Sequence, residues 1–450
     1  MQLIQQALFV LALVVAGYLI ARRAGLIKKT IQLGRAEDRT DRPGERLRTM
    51  LLVAFGQKKM LSNALVGVMH FIIYAGFLII NIEILEIILD GILGTHRLFA
   101  PGLGAAYPFL INVFEWLAFG VLAVCVVFLT RRWVTKVLRL NPERHRELRR
   151  WPVQDATLIL VAEIVLMLAF LTWNASDAVL RARGTEHYAI AGLGNFAVSQ
   201  YLMPLFEGWS TPALIAYERA AWWIHILGIL AFGVYVTYSK HLHIALAFPN
   251  TYFARLAPQG EMQNMPVVTQ EVKSMLGLEV PATNGSEPET PATEVGRFGA
   301  KDVMDLSWKN LMDAYSCTEC GRCTAECPAN LTGKKLSPRK IMMDTRDRLE
   351  DIGRNMQANG GTFADDGKTL LGDYILTEEI RACTTCNACV EACPVLINPL
   401  DIILQLRRYQ VMEESNAPGS WNAMFSNLET NQAPWKFSPA DRFNWAQNPK

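Results

Sequence analysis

Hydrophobic positions are unevenly spread along this chain. Five runs of about 18 to 26 largely uncharged residues fall at roughly 3–21, 64–89, 107–130, 156–173 and 220–240, whereas the stretch from about 250 to 450 is polar and ordinary. Runs of that length predict helices able to cross a hydrocarbon layer of ~30 Å. The first run is followed at once by Arg22, Arg23, Lys28 and Lys29. A cleavable leader carries its positive charges before the apolar core, so this segment reads as a retained span. Lys and Arg then alternate between connections: eleven in 22–60 and eight in 131–151, against Arg97 alone in 91–106 and Arg181 and Arg183 in 174–218. That asymmetry places the rich loops in the cytoplasm. The expected location is a bacterial inner (cytoplasmic) membrane, multi-pass, with a periplasmic N-terminus and a cytoplasmic C-terminal half. Residues 188–206, moderately apolar but broken by Gly192, Gly194 and Pro204, read as a periplasmic half-helix or interfacial segment.

In the polar half, Val280 to Glu294 is rich in Pro and Thr and cannot bury a core, so 251–300 reads as a flexible linker. Helices are expected over Asp305–Tyr315, Pro338–Leu349, Thr377–Arg381 and Leu400–Glu414. The predicted class is an all-α membrane protein. It comprises a five-span helical bundle (1–250), the linker, a cytoplasmic helical domain (301–415) and an extended C-terminal tail (416–450). Composition agrees: of 450 residues, 51% are hydrophobic and 19% charged, below the ~25% charged typical of soluble domains. This excludes a simple soluble enzyme, a disordered chain and a collagen-like fibre. A net charge of +2, with no basic stripe beyond the loops beside the membrane, excludes a nucleic-acid partner and leaves membrane lipid.

Eight of the nine cysteines form two identically spaced sets: Cys317, Cys320, Cys323 and Cys327 followed by Pro328, and Cys383, Cys386, Cys389 and Cys393 followed by Pro394. Thiolates are soft ligands suited to iron–sulfur clusters. In this doubled pattern the first three cysteines of a set wrap one cluster and the fourth ligates the other. The expected assignment is therefore Cys317, Cys320, Cys323 and Cys393 on one [4Fe–4S] cluster, and Cys383, Cys386, Cys389 and Cys327 on the second. A pair of zinc sites is the competing reading, but zinc has no use for this spacing with trailing prolines. The remaining Cys125 lies mid-span and reads as a small hydrophobe.

Four of seven histidines, His70, His225, His241 and His243, lie in or at the ends of predicted spans. Eighteen residues separate His225 from His243, which on a continuous helix is five whole turns and about 27 Å. Both would then face one side, with His241 turned away, the geometry for two haems stacked across a membrane. Against this stand blander readings: His241 and His243 as interfacial residues beside Lys240, and His225 as part of an aromatic belt with Trp222 and Trp223. Glu83, Glu86, Glu115 and Glu163 are carboxylates in or near spans that could relay protons or simply sit at helix ends. The Gly102/Gly104 and Gly192/Gly194 pairs sit at no strand-to-helix turn and are not dinucleotide fingerprints.

Two resemblances bear on these residues. The stretch Leu311 to Cys323, with Leu336-Ser-Pro338, resembles the helical dicluster ferredoxin module of heterodisulfide reductase and anaerobic glycerol-3-phosphate dehydrogenase subunits. His225 to Pro249, with Tyr238-Ser-Lys-His-Leu-His-Ile244, resembles the last helix of the nitrate reductase gamma subunit. That resemblance implies haem b held by His70 and His243, and a second haem on His225 whose partner should lie where this chain has Ile80; the depth of His70 in its helix also leaves open its pairing with His225, so one haem is implied and the second stays open. The whole chain looks like the N-terminal part of membrane-bound iron–sulfur oxidoreductases, including electron-transfer-flavoprotein:menaquinone oxidoreductases. The implied partner is an iron–sulfur subunit with cysteine-rich Cys-Cys-Gly repeats, since this chain has no Cys-Cys pair.

The expected function is electron transfer from electron-transfer flavoprotein, or from a flavin dehydrogenase, through two [4Fe–4S] clusters and haem b to menaquinone. The same wiring run backwards would oxidise quinol and feed a cytoplasmic disulfide or sulfur reductase. A non-redox membrane anchor is the reading from another class.

Overall fold

The structure is a computed structural model that describes residues 2–189, 194–278 and 297–447. It is all-α, and the described residues contain no strand beyond two isolated bridges. Five long helices lead the chain: α1 (Gln2–Ile31), α2 (Ala64–Leu93), α3 (Ala106–Trp133), α4 (Trp151–Ala182) and α5 (Thr211–Val236). All are long and apolar enough to cross a membrane. They pack in cyclic order, α1 on α2, α2 on α3, α3 on α4, α4 on α5 and α5 back on α1. Without a hydrophobic drive between helices in lipid, close approach requires small residues. At Gly91 a Cβ would lie 2.4 Å from the Phe9 ring, so glycine lets α1 and α2 touch.

Two helix ends depart from the expected spans. The first span was expected to stop near 21, because Arg22 and Arg23 look like a membrane boundary. Instead α1 runs 30 residues, about 45 Å at 1.5 Å per residue, and its last turns enter the cysteine-bearing half. There Arg23 pairs with Glu350 at 2.5 Å, the Thr30 and Tyr315 hydroxyls bond at 3.0 Å, and Ile27 joins the core formed with Leu311 and Leu349.

The fifth span does not reach His243, and this corrects the helical-face argument for His225 and His243. Helix α5 ends at Val236, a short 3-10 turn covers Lys240–Leu242, and a new helix, α6 (His243–Tyr252), begins at the histidine. The break is held by Asp155 near the start of α4. Its carboxylate accepts from the Tyr235 hydroxyl, from Ser239 Oγ at 2.6 Å and from the Lys240 N–H at 3.2 Å. Hydrogen bonds to a charged acceptor are worth about 1.5–3 kcal/mol each, enough to favour a turn over one more helical residue. His241 accordingly does not point away from His243: their rings lie 5.4 Å apart.

The polar half is built on α7 (Trp308–Ser316), α8 (Pro338–Ala358) and α9 (Pro399–Met412), started by side-chain caps from Ser307, Ser337 and Asn398. Helix α8 runs well past the Leu349 expected from sequence, and Thr377–Arg381 forms the helix expected there. Leu311, Ile341, Leu349, Ile352, Ile402 and Leu406 are fully buried between these helices, each contributing roughly 1.5–3 kcal/mol of burial.

The expected flexible stretch Val280–Glu294 lies outside the described residues. Before it, the chain forms the helix Pro266–Met275. The tail expected to be extended instead carries the helix Gly419–Asn431, because Trp421, Met424, Phe425 and Leu428 recur at helical spacing, although none of its residues is buried. The 188–206 region holds a 3-10 helix at Ser199–Leu205, and Gly192 lies outside the described residues.

Candidate electron-transfer sites

The two cysteine sets fold as near-copies. Cys317 ends α7, and the chain passes through left-handed Glu319 (φ 56°) and Gly321 (φ 73°) before the short helix Arg322–Ala325 carries Cys323. In the second set Thr385 (φ 58°) and Asn387 (φ 62°) play the same parts ahead of the short helix Ala388–Ala392. Glycine is required in the first copy: at Gly321 a Cβ would lie 2.4 Å from Arg339 Nη1 and 3.0 Å from the Arg139 carbonyl.

Each fourth cysteine crosses over. Cys317, Cys320, Cys323 and Cys393 line one cavity of about 390 Å³, and Cys327, Cys383, Cys386 and Cys389 line another of about 310 Å³. This is the pairing expected from the spacing. Backbone N–H groups are aimed at the sulfurs, Ile397 at Cys393 Sγ (3.3 Å) and Thr385 at Cys383 Sγ (3.4 Å). Burial pushes the Cys317 thiol up to about 11 and those of Cys389 and Cys393 up to about 12. A cationic metal centre in the cavity would favour the thiolates at these positions and displace their protons on binding. Two cysteines of each cradle are buried, Cys317 and Cys393 in the first and Cys327 and Cys389 in the second, and Cys386 of the second is exposed.

The first cradle abuts the membrane bundle. Glu319, between Cys317 and Cys320, is buried and bonded on one side to the Lys240 ammonium and on the other to Arg346 at 2.6 Å. Burial opposes its ionisation, but the Arg346 guanidinium and the Lys240 ammonium prevail and hold its carboxyl down at about 2. Arg322 donates to the Lys59 carbonyl at 3.0 Å, and Arg339 bonds the Arg139 carbonyl (2.6 Å) and Glu147 (2.8 Å). The loops expected in the cytoplasm are thus the ones that hold the cysteine domain.

Three of the four candidate histidines lie near this junction, with the His241 and His243 rings 5.4 Å apart and His70 close enough to influence them electrostatically. His70 lies two turns into α2, and His241 and His243 flank the start of α6. Burial, with the neighbouring His243 and His70, pushes the His241 ring down to about 3; burial also lowers His243, partly offset by its bond to the Lys240 carbonyl. Neutral imidazoles are the form that ligates metals. The His243 Nδ1–H donates to that carbonyl at 3.2 Å, which leaves its Nε2 free, and His70 Nδ1 is buried without a partner. His225 stands apart: it is buried, donates from Nδ1 to the Leu166 carbonyl at 3.0 Å and has Phe170 and Trp173 as ring neighbours. Ile80 is buried on α2 and Cys125 on α3, both in the bundle core.

Sequence reasoning missed Glu319, Asp155 and Arg346. Glu319 was in view inside the cysteine motif, and only its ion pairs mark it. Asp155 had a signal, as the acid at the edge of an apolar run.

Comparison with known proteins agrees with this arrangement. Residues 316–397 match a 4Fe-4S dicluster domain, and a second model of that description matches 281–332, part of which lies outside the described residues. The chain is 30% identical over 457 residues to the "Probable iron-sulfur-binding oxidoreductase FadF" of Bacillus subtilis, covering 95% of this chain and 58% of that protein. It is 26% identical over 432 residues to the "EtfAB:quinone oxidoreductase" of Syntrophomonas wolfei, covering 90% and 54%. It is also 35% identical over 114 residues to one subunit of the ferredoxin/F(420)H(2)-dependent CoB-CoM heterodisulfide reductase of Methanosarcina acetivorans, with 25% and 56% covered. No solved structure matches. The chain thus carries a 4Fe-4S dicluster domain behind five helices long and apolar enough to cross a membrane, and it is similar to iron–sulfur oxidoreductases. It spans little more than half the length of the first two.

Proposed function

We propose that this chain carries electrons one at a time from a cytoplasmic flavin donor to menaquinone in the bacterial inner membrane. Cys383, Cys386, Cys389 and Cys327 hold the [4Fe–4S] cluster nearer the surface, and Cys317, Cys320, Cys323 and Cys393 hold the cluster nearer the membrane. His70 and His243 hold one haem b; the buried, unpartnered Nδ1 of His70 and the free Nε2 of His243 fit such a ligand pair. Haem iron, when bound, accepts and passes on single electrons. His225 is structural in this reading, its ring fixed by the Leu166 carbonyl.

The observation that carries the proposal is the junction itself. Glu319, inside the first cysteine loop, bonds the residue immediately before His241. Exposed Cys386 makes the second cradle the entry point for electron-transfer flavoprotein or a flavin dehydrogenase. The likeness to a heterodisulfide reductase subunit supports a cysteine-rich iron–sulfur partner. The loop charges support a periplasmic N-terminus, so the cysteine domain faces the cytoplasm.

A dithionite-reduced minus air-oxidised spectrum of the purified protein, with haem and iron quantified per chain, tests this. One b-type haem with about eight non-haem irons is the expected result. Two haems would return His225 to the ligand set. Iron without haem would overturn the path through the membrane.

A further inference from the structure

The geometry points to Lys240 as a positioning residue that couples the first cysteine cradle to the histidine site, with Glu319 as its counterpart. The inference rests on the functional reading above and adds the residue pair that makes the junction work. Both ends of Lys240 are engaged. Its ammonium bonds Glu319, whose neighbours Cys317 and Cys320 line the cradle, and also donates to the Pro152 carbonyl at 2.6 Å. Its own carbonyl accepts from His243 Nδ1 at 3.2 Å. One residue therefore links the cysteine loop to the imidazole through a continuous run of covalent and hydrogen bonds.

The position of this lysine is fixed from outside. Asp155 accepts from its N–H at 3.2 Å and lies 3.8 Å from the ammonium, so the same carboxylate that breaks the helix also places Lys240. Glu319 is equally constrained, by Arg346 at 2.6 Å and by its left-handed backbone. A one-electron step makes and breaks no bond. With both groups bound, the electron lost by the cluster on Cys317, Cys320, Cys323 and Cys393 would be the one gained by the haem on His70 and His243, and what the side chains here contribute is distance, orientation and local charge.

That charge has a sign. A cluster gains a negative charge on reduction, and net charge and hydrogen bonding near the sulfurs set its potential. The Lys240 ammonium favours the reduced cluster, and the Glu319 carboxylate opposes it. Neither residue alone joins the two halves of the molecule. Arg23 to Glu350 (2.5 Å), Arg339 to Glu147 (2.8 Å), Lys309 to Asn250 (3.0 Å) and Asn250 to the Val395 carbonyl (2.9 Å) remain when either is replaced.

The test uses the full chain with its metal centres as purified, comparing wild type with Lys240→Met, Lys240→Arg and Glu319→Gln. Iron per chain, the midpoint potential of each cluster by EPR-monitored redox titration, and the stopped-flow rate of haem reduction are read. Lys240→Met is expected to keep its iron, lower the potential of the cluster on Cys317, Cys320, Cys323 and Cys393, and leave the other cluster where it is. It should slow haem reduction by about tenfold or more, as small misplacements of reacting centres do. Glu319→Gln should raise the same potential, and Lys240→Arg should return both readouts toward wild type.

Opposite signs from the two variants support the proposal, because a merely structural pair would shift both the same way or lose iron in both. If Lys240→Met is recovered without iron, the upward shift in Glu319→Gln decides alone. Unchanged potentials and rates with full iron overturn the proposal and leave the functional reading standing. A wild-type protein without reducible haem overturns that reading instead, and the cluster potentials still decide the role of Lys240.

Discussion

The two ends of the helical bundle both bury polar side chains, and they do it in opposite ways. At the end away from the cysteine domain, Arg97 bonds Asp177 and Asn174, each at 2.8 Å, and Tyr107 donates to Glu86 at 2.8 Å. Glu115 accepts from the Val198 and Ser199 N–H groups at 2.7 and 3.1 Å, and Glu218 accepts from Trp173 and Tyr188 at 2.7 Å. These carboxylates are spoken for, and their bonds fasten the connections near 97 and 198 to α3, α4 and α5. At the cysteine end, His70 keeps a buried nitrogen without a partner, and eight thiols line two cavities. A buried polar group costs free energy unless it is paired. The satisfied end is therefore architecture, while the other end leaves His70 Nδ1 unpaired and eight thiols around two cavities, as the proposed metal centres would need. Glu83, buried with neither carboxylate oxygen bonded, is the exception at the far end.

The contrast breaks most sharply if the cysteine end is damaged. Cys393→Ala removes a thiol from the first cradle only, and iron should fall from about eight to about four per chain, with the bundle intact by circular dichroism. Loss of all iron would mean that the cradles are not separate. Next in size, Arg97→Met strips the cation from buried Asp177. Breaking a buried pair costs about 3–5 kcal/mol, so thermal unfolding in detergent should move down markedly while the cluster EPR signals of the surviving protein stay unchanged. A changed EPR spectrum would show that the far end is not mere architecture.

A smaller effect is expected at Glu147, which Arg339 and Ser337 bond at 2.8 Å each. Burial works against its ionisation, but the Arg339 guanidinium prevails and holds the carboxyl below the ordinary value. A carboxylate lowered by folding adds stability that is complete above its unfolded pKa of about 4.3 and is lost as pH falls below it toward the folded value. Glu147→Gln should cost about 1–3 kcal/mol at neutral pH and flatten the acid limb of a stability–pH curve. An unchanged acid limb would remove Glu147 from the interface argument. The smallest stability effect belongs to His70→Ala. Its Nδ1 has no hydrogen bond to lose, so between haem-free forms unfolding should shift by less than about 1 kcal/mol, while in the protein as purified the haem spectrum disappears together with whatever stability the bound haem adds. A large loss of stability with the spectrum retained would make His70 a packing residue.

Much of this was legible along the chain. The cysteine spacing alone gave the crossed grouping now seen around two cavities, because that pattern is set by local loop geometry repeated twice. The five apolar helices are local features too. The histidine relation was not legible. A count of eighteen residues assumed one unbroken helix, and the break after Val236 is imposed by Asp155, some 80 residues earlier in the sequence. The extension of α1 into the cysteine-bearing half was hidden for a similar reason. Arg22 and Arg23 look like a boundary until Glu350 supplies the partner that lets Arg23 be buried.

The sequence by itself thus determined the helical membrane class and which cysteines belong to each of the two sets. Hydropathy, loop charge and cysteine spacing act within a few turns of helix or one loop. Tertiary structure alone decided which cradle faces the membrane, which histidines meet and that Lys240 joins them. These depend on ion pairs and hydrogen bonds between residues tens to hundreds of positions apart, and a buried charge settles only where the folded chain provides its partner.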